Sequence, residues 1–208
     1  MHEPLTSMLS SRAKLASLRV LWKSSASLPY REIVRRSGMA YRSIELALAD
    51  LAAVGMVTQL PGGRERRVEL ATGHRLAAPL VALLQAEADF FASIRVELRA
   101  WAAALAGQGM LSAAVVGAVA RRAERPGDAL QLVVVARDAT AAGICRGRFG
   151  SLSEALLRRH GVRAVLIAYD LAEARKLWRS ATPAAQREVR DAEQVAGDAL
   201  ATLLESAS

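Results

Sequence analysis

Two short runs carry side chains that could grip and read a polyanion: Tyr41-Arg42-Ser43-Ile44-Glu45, and Arg64-Glu65-Arg66-Arg67 directly after Pro61-Gly62-Gly63. The second puts three guanidinium groups in four residues, a chemistry suited to phosphate, because each neutralised phosphate releases condensed counterions. In the first, Arg42 can donate two parallel hydrogen bonds to a guanine edge, and the Tyr41 and Ser43 hydroxyls can reach a phosphate or a base. Glu45 could accept from cytosine or simply orient an arginine. Arg31, with Lys23, Arg35 and Arg36, adds cations for backbone contact. Any one of these arginines reads equally well as a solvated surface charge; the cluster is more specific than its members.

Such side chains need a scaffold that presents them, and the flanking sequence writes one. Leu15, Leu18, Leu21 and Trp22 recur at helical spacing over Ser11–Trp22. Pro29 sets up a short second helix, Tyr30–Ser37, with Ile33 and Val34 inward, and Gly38 supplies the turn. A third helix runs from about Ala40 to Val54 on Ile44, Leu48, Leu51 and Val54, and Gly55 is placed to end it in a left-handed cap. Met56–Leu60 and Arg66–Leu70 then read as strands of a hairpin whose tip holds Arg64. Helix, tight turn, helix and hairpin in this order predict a winged helix-turn-helix over residues 1–75. The third helix would enter a major groove with Ala40, Tyr41, Arg42, Ser43, Glu45 and Leu46 outward, and the hairpin would lie on the backbone.

The charge distribution points the same way. The chain of 208 residues has a formal net charge of +8, and residues 1–78 hold twelve Lys/Arg against six Asp/Glu. A balance this basic favours nucleic acid or another anionic surface. A general preference for arginine over lysine along the chain is the competing explanation.

Residues 74–106 read as one long helix, started or kinked at Pro79. Positions 80, 84, 87, 91, 94, 98, 101 and 105 alternate by four and three and hold Leu80, Leu84, Glu87, Phe91, Ile94, Leu98, Trp101 and Leu105. Seven of these eight are apolar, which makes a coiled-coil type of seam. Leu84, Phe91, Ile94, Leu98 and Trp101 are expected either to pack on the protein's own second domain or to pair with a second copy. The expected organisation is a DNA-binding domain at 1–75, a connecting or dimerisation helix at 76–107, and a third segment at 108–208.

That third segment is α/β in pattern. Ala113–Val116, Leu130–Val135 and Val162–Ala168 are short apolar runs that read as buried strands. Ser151-Leu152-Ser153-Glu154 and Asp170-Leu171-Ala172-Glu173 have capping-box spacing ahead of helices, and Thr182-Pro183 starts another. Gly117-Ala118-Val119-Ala120-Arg121-Arg122, followed by Pro126-Gly127-Asp128-Ala129-Leu130-Gln131-Leu132, resembles the signature of minimal nucleotidyltransferase-fold domains. Over residues 5 to 195 the chain is similar to proteins in which an ArsR-like winged helix precedes such a domain. The resemblance implies an α+β architecture of winged helix, long helix and nucleotidyltransferase-like domain.

The resemblance also implies lost chemistry. In that family a Gly-Ser pair is followed by an Asp-x-Asp whose carboxylates share one face of a strand and hold the metals that bridge nucleotide phosphates. Here the serine position is Ala118 and the aspartate positions are Ala129 and Gln131. Asp128 is one residue out of register, which aims it at the other face. A third carboxylate is missing from Val162–Ala168. Nucleotidyl transfer is therefore not expected, and the domain would serve as a dimerisation scaffold, a pocket that senses a nucleotide or another small anion without turning it over, or a docking surface for a partner protein. Arg121, Arg122 and Arg125 could hold an anion without metal, or be ordinary loop charges.

A composition of 52% hydrophobic and 23% charged residues is globular. The single cysteine, Cys145, excludes an internal disulfide and a cysteine-based zinc site, and His2, His74 and His160 are too scattered to propose a metal site. No cofactor is expected. Without a signal-like N-terminus or 18 uninterrupted apolar residues, a cytoplasmic, nucleoid-associated protein with no membrane partner is expected. These readings combine into a DNA-binding transcriptional regulator that works as a homodimer on double-stranded DNA, with a small-molecule or nucleotide effector. The alternatives are a divergent nucleotidyltransferase and an antitoxin-like, partner-binding module.

Overall fold

The computed structural model describes residues 4–61 and 65–206 and is mixed α+β. The chain divides into two compact units, Met1–Asp89 and Phe90–Ser208.

The first unit runs α1 (Pro4–Leu9), α2 (Arg12–Leu21), β1 (Leu28–Pro29), α3 (Tyr30–Ser37), α4 (Tyr41–Ala53), β2 (Val57–Leu60) and β3 (Arg67–Leu70). Helix α2 begins where the Ser11 side chain accepts the Lys14 N–H at 3.2 Å, relieving one orphan donor of the first turn. Between α3 and α4 the chain turns at Gly38, whose left-handed φ of +66° lets its N–H reach the Val34 carbonyl. Leu18, Ile33, Ile44, Leu48 and Leu51 lie at the centre of the core. The apolar face of α4 is thereby spent inward, leaving its other face to solvent.

Two elements of this unit are not signalled by the periodicity. One is β1, only two residues long, which pairs Leu28 with Val68 and makes the hairpin a three-stranded antiparallel sheet of order β1-β3-β2. The other is α1, tied to the rest by Lys14. Its ammonium is almost fully buried and donates to the Ser7 carbonyl at 2.8 Å and Ser10 Oγ at 3.3 Å while pairing with Asp50 at 2.9 Å. Three partners offset the cost of removing a charge from water.

Helix α5 (Ala77–Ala106) continues through the point where the units divide. Residues 76–107 are thus not a body of their own: Leu80 and Leu84 belong to the first core, and Ile94, Leu98, Ala102 and Leu105 to the second. Among the described residues α5 is the one helix long and apolar enough to cross a membrane by length and composition, with a mean hydropathy of 1.3.

In the second unit, β4 (Met110–Val116), α6 (Gly117–Ala120), β5 (Leu130–Ala136), α7 (Ala139–His160), β6 (Ala164–Asp170), α8 (Leu171–Arg179), α9 (Pro183–Arg190), β7 (Glu193–Gly197) and α10 (Leu200–Glu205) follow in order. The sheet order is β6-β5-β4-β7, with β5 and β6 parallel and the other pairs antiparallel. Leu130, Leu132 and Val134 on β5 pack against one layer with Leu98, Cys145 and Leu156, and burial pushes the Cys145 thiol up. Val133 and Val135, of opposite parity, face a second, smaller cluster with Ala174 and Leu200.

One helix start is corrected. Ser151 does not open a helix, because α7 already begins at Ala139, capped by Asp138, whose carboxylate accepts the Ala141 N–H at 2.8 Å. Ser151 Oγ instead donates back to the Arg148 carbonyl at 3.1 Å, a common use of a mid-helix serine. The caps at Asp170 and Thr182-Pro183 are as expected. After α9, the strand β7 and helix α10 extend the unit beyond the elements anticipated.

Candidate nucleic-acid interface

The start of α4 is presented to solvent. Tyr41 is 51% exposed and the Arg42 side chain 74% exposed, while Ile44, between them and the next turn, is buried and fixes the rotation of the helix. Ser43 and Glu45 are half-buried, and Leu46 is exposed, an apolar group of the kind that can meet a thymine methyl. The residue preceding the helix, Ala40, offers no side-chain cap, so the first-turn N–H groups have no side-chain acceptor from it. Arg42 Nη1 donates to Glu45 Oε2 at 2.6 Å. Of the two roles open to Glu45, this geometry displays the orienting one.

The hairpin base comes close to this helix start through Tyr30. The Tyr30 side chain is buried at the beginning of α3, and burial pushes its hydroxyl above the ordinary tyrosine value. Arg66 pulls that value the other way, through its charge and a hydrogen bond, while Tyr41 and Glu45 add to the rise. Charges from the hairpin and from α4 therefore meet at one hydroxyl. Tyr30 is the residue sequence reasoning missed; its place directly after Pro29, at the first position of the helix, was the available signal.

The remaining cations divide into free and engaged. Arg31 is 88% exposed and only loosely paired with Glu65, at 3.8 Å. Arg67 is engaged within the chain, its Nε donating to Ser27 Oγ at 3.0 Å and its Nη2 to the Ser27 carbonyl, so it secures the loop before β1. Arg35 and Arg36 both hydrogen-bond Glu32 and hold its carboxyl down at about 2. Arg64 lies outside the described residues. Lys23, Arg19 and Arg36 border a groove of about 330 Å³ between α2 and α3, and Arg19 is held there by Glu87.

The seam residues of α5 are occupied within the chain. Leu84, Ile94 and Leu98 are buried in the cores, and Phe91 and Trp101 are partly buried against the second. Trp101 adds an Nε1–H bond to the Arg148 carbonyl at 3.2 Å. Leu84, Ile94 and Leu98 are thus taken up inside the chain, whereas Phe91 and Trp101 keep part of their surface exposed. The exposed apolar residues of α5 are others: Leu83, Phe90 and Val96.

In the second unit, Ala118 lies in α6, Ala129 just ahead of β5, and Gln131 on β5. Gly117 has a φ of +78°, and a Cβ there would stand 3.3 Å from Gln131 Oε1 and 3.5 Å from Glu188 Oε1. The Gly117, Gln131 and Glu188 positions thus converge on one face of the sheet. The Asp128 carboxylate is elsewhere, accepting the Arg125 N–H at 2.8 Å. The three candidate anion-binding arginines do not converge: Arg121 pairs with Glu188 at 3.7 Å, Arg125 borders a different cavity with Arg163 and Phe90, and Arg122 is exposed.

Compared with protein-family models, curated proteins and solved structures, the chain gives no significant match.

Proposed function

We propose that the protein is a sequence-specific DNA-binding transcriptional regulator whose first unit is a winged helix-turn-helix. The observation that carries this reading is the exposed start of α4, with Tyr41 and Arg42 outward, in a unit whose hairpin is tied to α3 by the Tyr30 N–H donating to the Arg66 carbonyl at 3.3 Å. A helix of thirteen residues with its apolar face buried and a cation at its outward start fits a major groove, and Arg31 and Arg66 supply phosphate contacts. One such helix with a single base-reading arginine gives little affinity alone. A homodimer on a pseudo-palindromic double-stranded site supplies the rest.

The second unit is read as a nucleotidyltransferase-like domain that senses a ligand and does not transfer nucleotides. Gly117 supports the likeness, standing directly after β4 as the first residue of α6, the helix that precedes β5. Ala118, Ala129 and Gln131 argue against transfer, since none offers an anionic metal ligand. A protein with this division of labour acts in the cytoplasm, at the nucleoid.

The test is an electrophoretic mobility shift at low salt with the full chain and genomic duplex fragments. Retarded bands that weaken in Arg42→Ala and Arg66→Ala support the reading; absence of binding to any duplex overturns it.

A further inference from the structure

The face of the second sheet that carries Gln131 is incompletely filled. Between β4–β6 and α8–α10 lies a cavity of about 240 Å³. Its walls are mostly apolar and include Val133, Val135, Ile167, Leu177, Trp178 and Leu204. On the helical side the lining includes three small residues, Ala174, Ala181 and Ala185, which leave the space unfilled. Protein interiors normally pack to crystal-like density, and an unfilled apolar space forfeits the dispersion contacts of every atom that lines it. Water gives little compensation in such a place, because it needs two to four polar partners.

The walls are also braced open. Arg190 on α9 lies over the Trp178 ring of α8 at 5.8 Å and pairs with Glu205 of α10 at 3.3 Å. Three short helices are thereby joined around the opening, which opposes collapse onto the sheet.

We propose that this cavity binds a small apolar molecule of one or two rings that carries an amino or other N–H donor. The inference deepens, and rests on, the reading of the second unit as the sensing half. Size sets the first limit: an apolar cavity of about 150 Å³ accepts benzene, and drug-sized ligands begin at about 300 Å³. Charge sets the second. The described lining includes the Glu188 carboxylate and the Gln131 carboxamide but no lysine or arginine. Gln131 Oε1 and the Glu188 carboxylate can accept from a donor, and the two cations beside the opening, Arg121 and Arg190, are already paired, with Glu188 and Glu205, so neither is free to hold a phosphate or sulfonate. The nucleotide of the ancestral chemistry is the wrong ligand; a neutral or cationic amine of aromatic bulk is the right one.

The experiment is fluorescence titration of the full chain with 1-naphthylamine, whose emission shifts on entering an apolar site. Parallel titrations use 1-naphthalenesulfonate and magnesium ATP. Saturable binding of the amine, at least tenfold tighter than the sulfonate, is expected. Glu188→Gln should shrink that preference several-fold without affecting folding, since its side chain is 42% exposed, and Ala185→Trp should fill the space and abolish binding while circular dichroism is unchanged. No saturable binding of the amine, equal binding of the sulfonate, or tighter binding of ATP overturns the proposal. Because the titration contains no DNA, its failure leaves a mobility shift intact, and loss of the mobility shift leaves the titration intact.

Discussion

Arg42 and Glu45 stand one turn apart on α4, guanidinium to carboxylate at 2.6 Å, so the cation best placed to read a base is held by an anion. Any phosphate or guanine must compete with that carboxylate. Exposed pairs at this spacing contribute only about 0.2–0.5 kcal/mol, so the exchange costs little. Glu45→Gln removes both the competitor and a charge that repels phosphate. Its affinity for random-sequence duplex, measured by fluorescence anisotropy, should rise by about two- to fivefold. A fall would mean that Glu45 itself contacts the DNA.

Arg66 and Arg67 are neighbours with different duties. Arg66→Ala should lower the slope of log affinity against log salt by about 1, the signature of one lost phosphate contact. Arg67→Ala should leave that slope unchanged, because its guanidinium is spent on Ser27, and should lower the melting temperature instead. Equal salt slopes for wild type and both variants would remove the hairpin base from the interface.

Leu98 tests whether the α5 seam is internal. It is fully buried within the second unit. Leu98→Ala should cost about 2–5 kcal/mol of unfolding free energy, as for other large-to-small core changes. Denaturant titrations at low and high protein concentration should give the same loss. A loss that changes with concentration would place Leu98 between copies.

Gly197 marks the tightest backbone approach. It has a φ of +76°, beside the irregular pairing of β4 and β7, and a Cβ there would fall 2.0 Å from the Leu111 carbonyl oxygen. Gly197→Ala should therefore cost more than about 2 kcal/mol, strain and clash together. Gly143, exposed in the second turn of α7 with open space around it, is the contrasting case. Gly143→Ala should stabilise by about 0.5–1 kcal/mol. Thermal denaturation of the two variants checks both signs.

Much of the first unit was legible because its signals are local. The spacing of Ile44, Leu48 and Leu51 fixes the inward face of α4, and Gly38 and Gly55 mark turns that only particular residues favour. Strand β1 was not legible, since two residues have no period and Leu28 becomes a strand only by pairing with Val68. In the second unit, three glycines within Ala139–His160 and a capping-box pattern at Ser151 disguised one long helix as a later, shorter one. The fates of individual arginines were least legible. Nothing in Arg64-Glu65-Arg66-Arg67 says that Arg67 turns back to Ser27, forty residues earlier. Side-chain partners of that kind are set by tertiary packing and not by spacing.

The most direct test of DNA reading by α4 is selection from a random-sequence duplex library with the full wild-type chain and with Arg42→Ala. The wild type should enrich a two-fold symmetric sequence containing a fixed guanine in each half. Arg42→Ala should relax the preference at that guanine, at a cost of about 1–3 kcal/mol on the selected site. Enrichment of no sequence by the wild type, or an identical preference from the variant, would contradict DNA reading by α4.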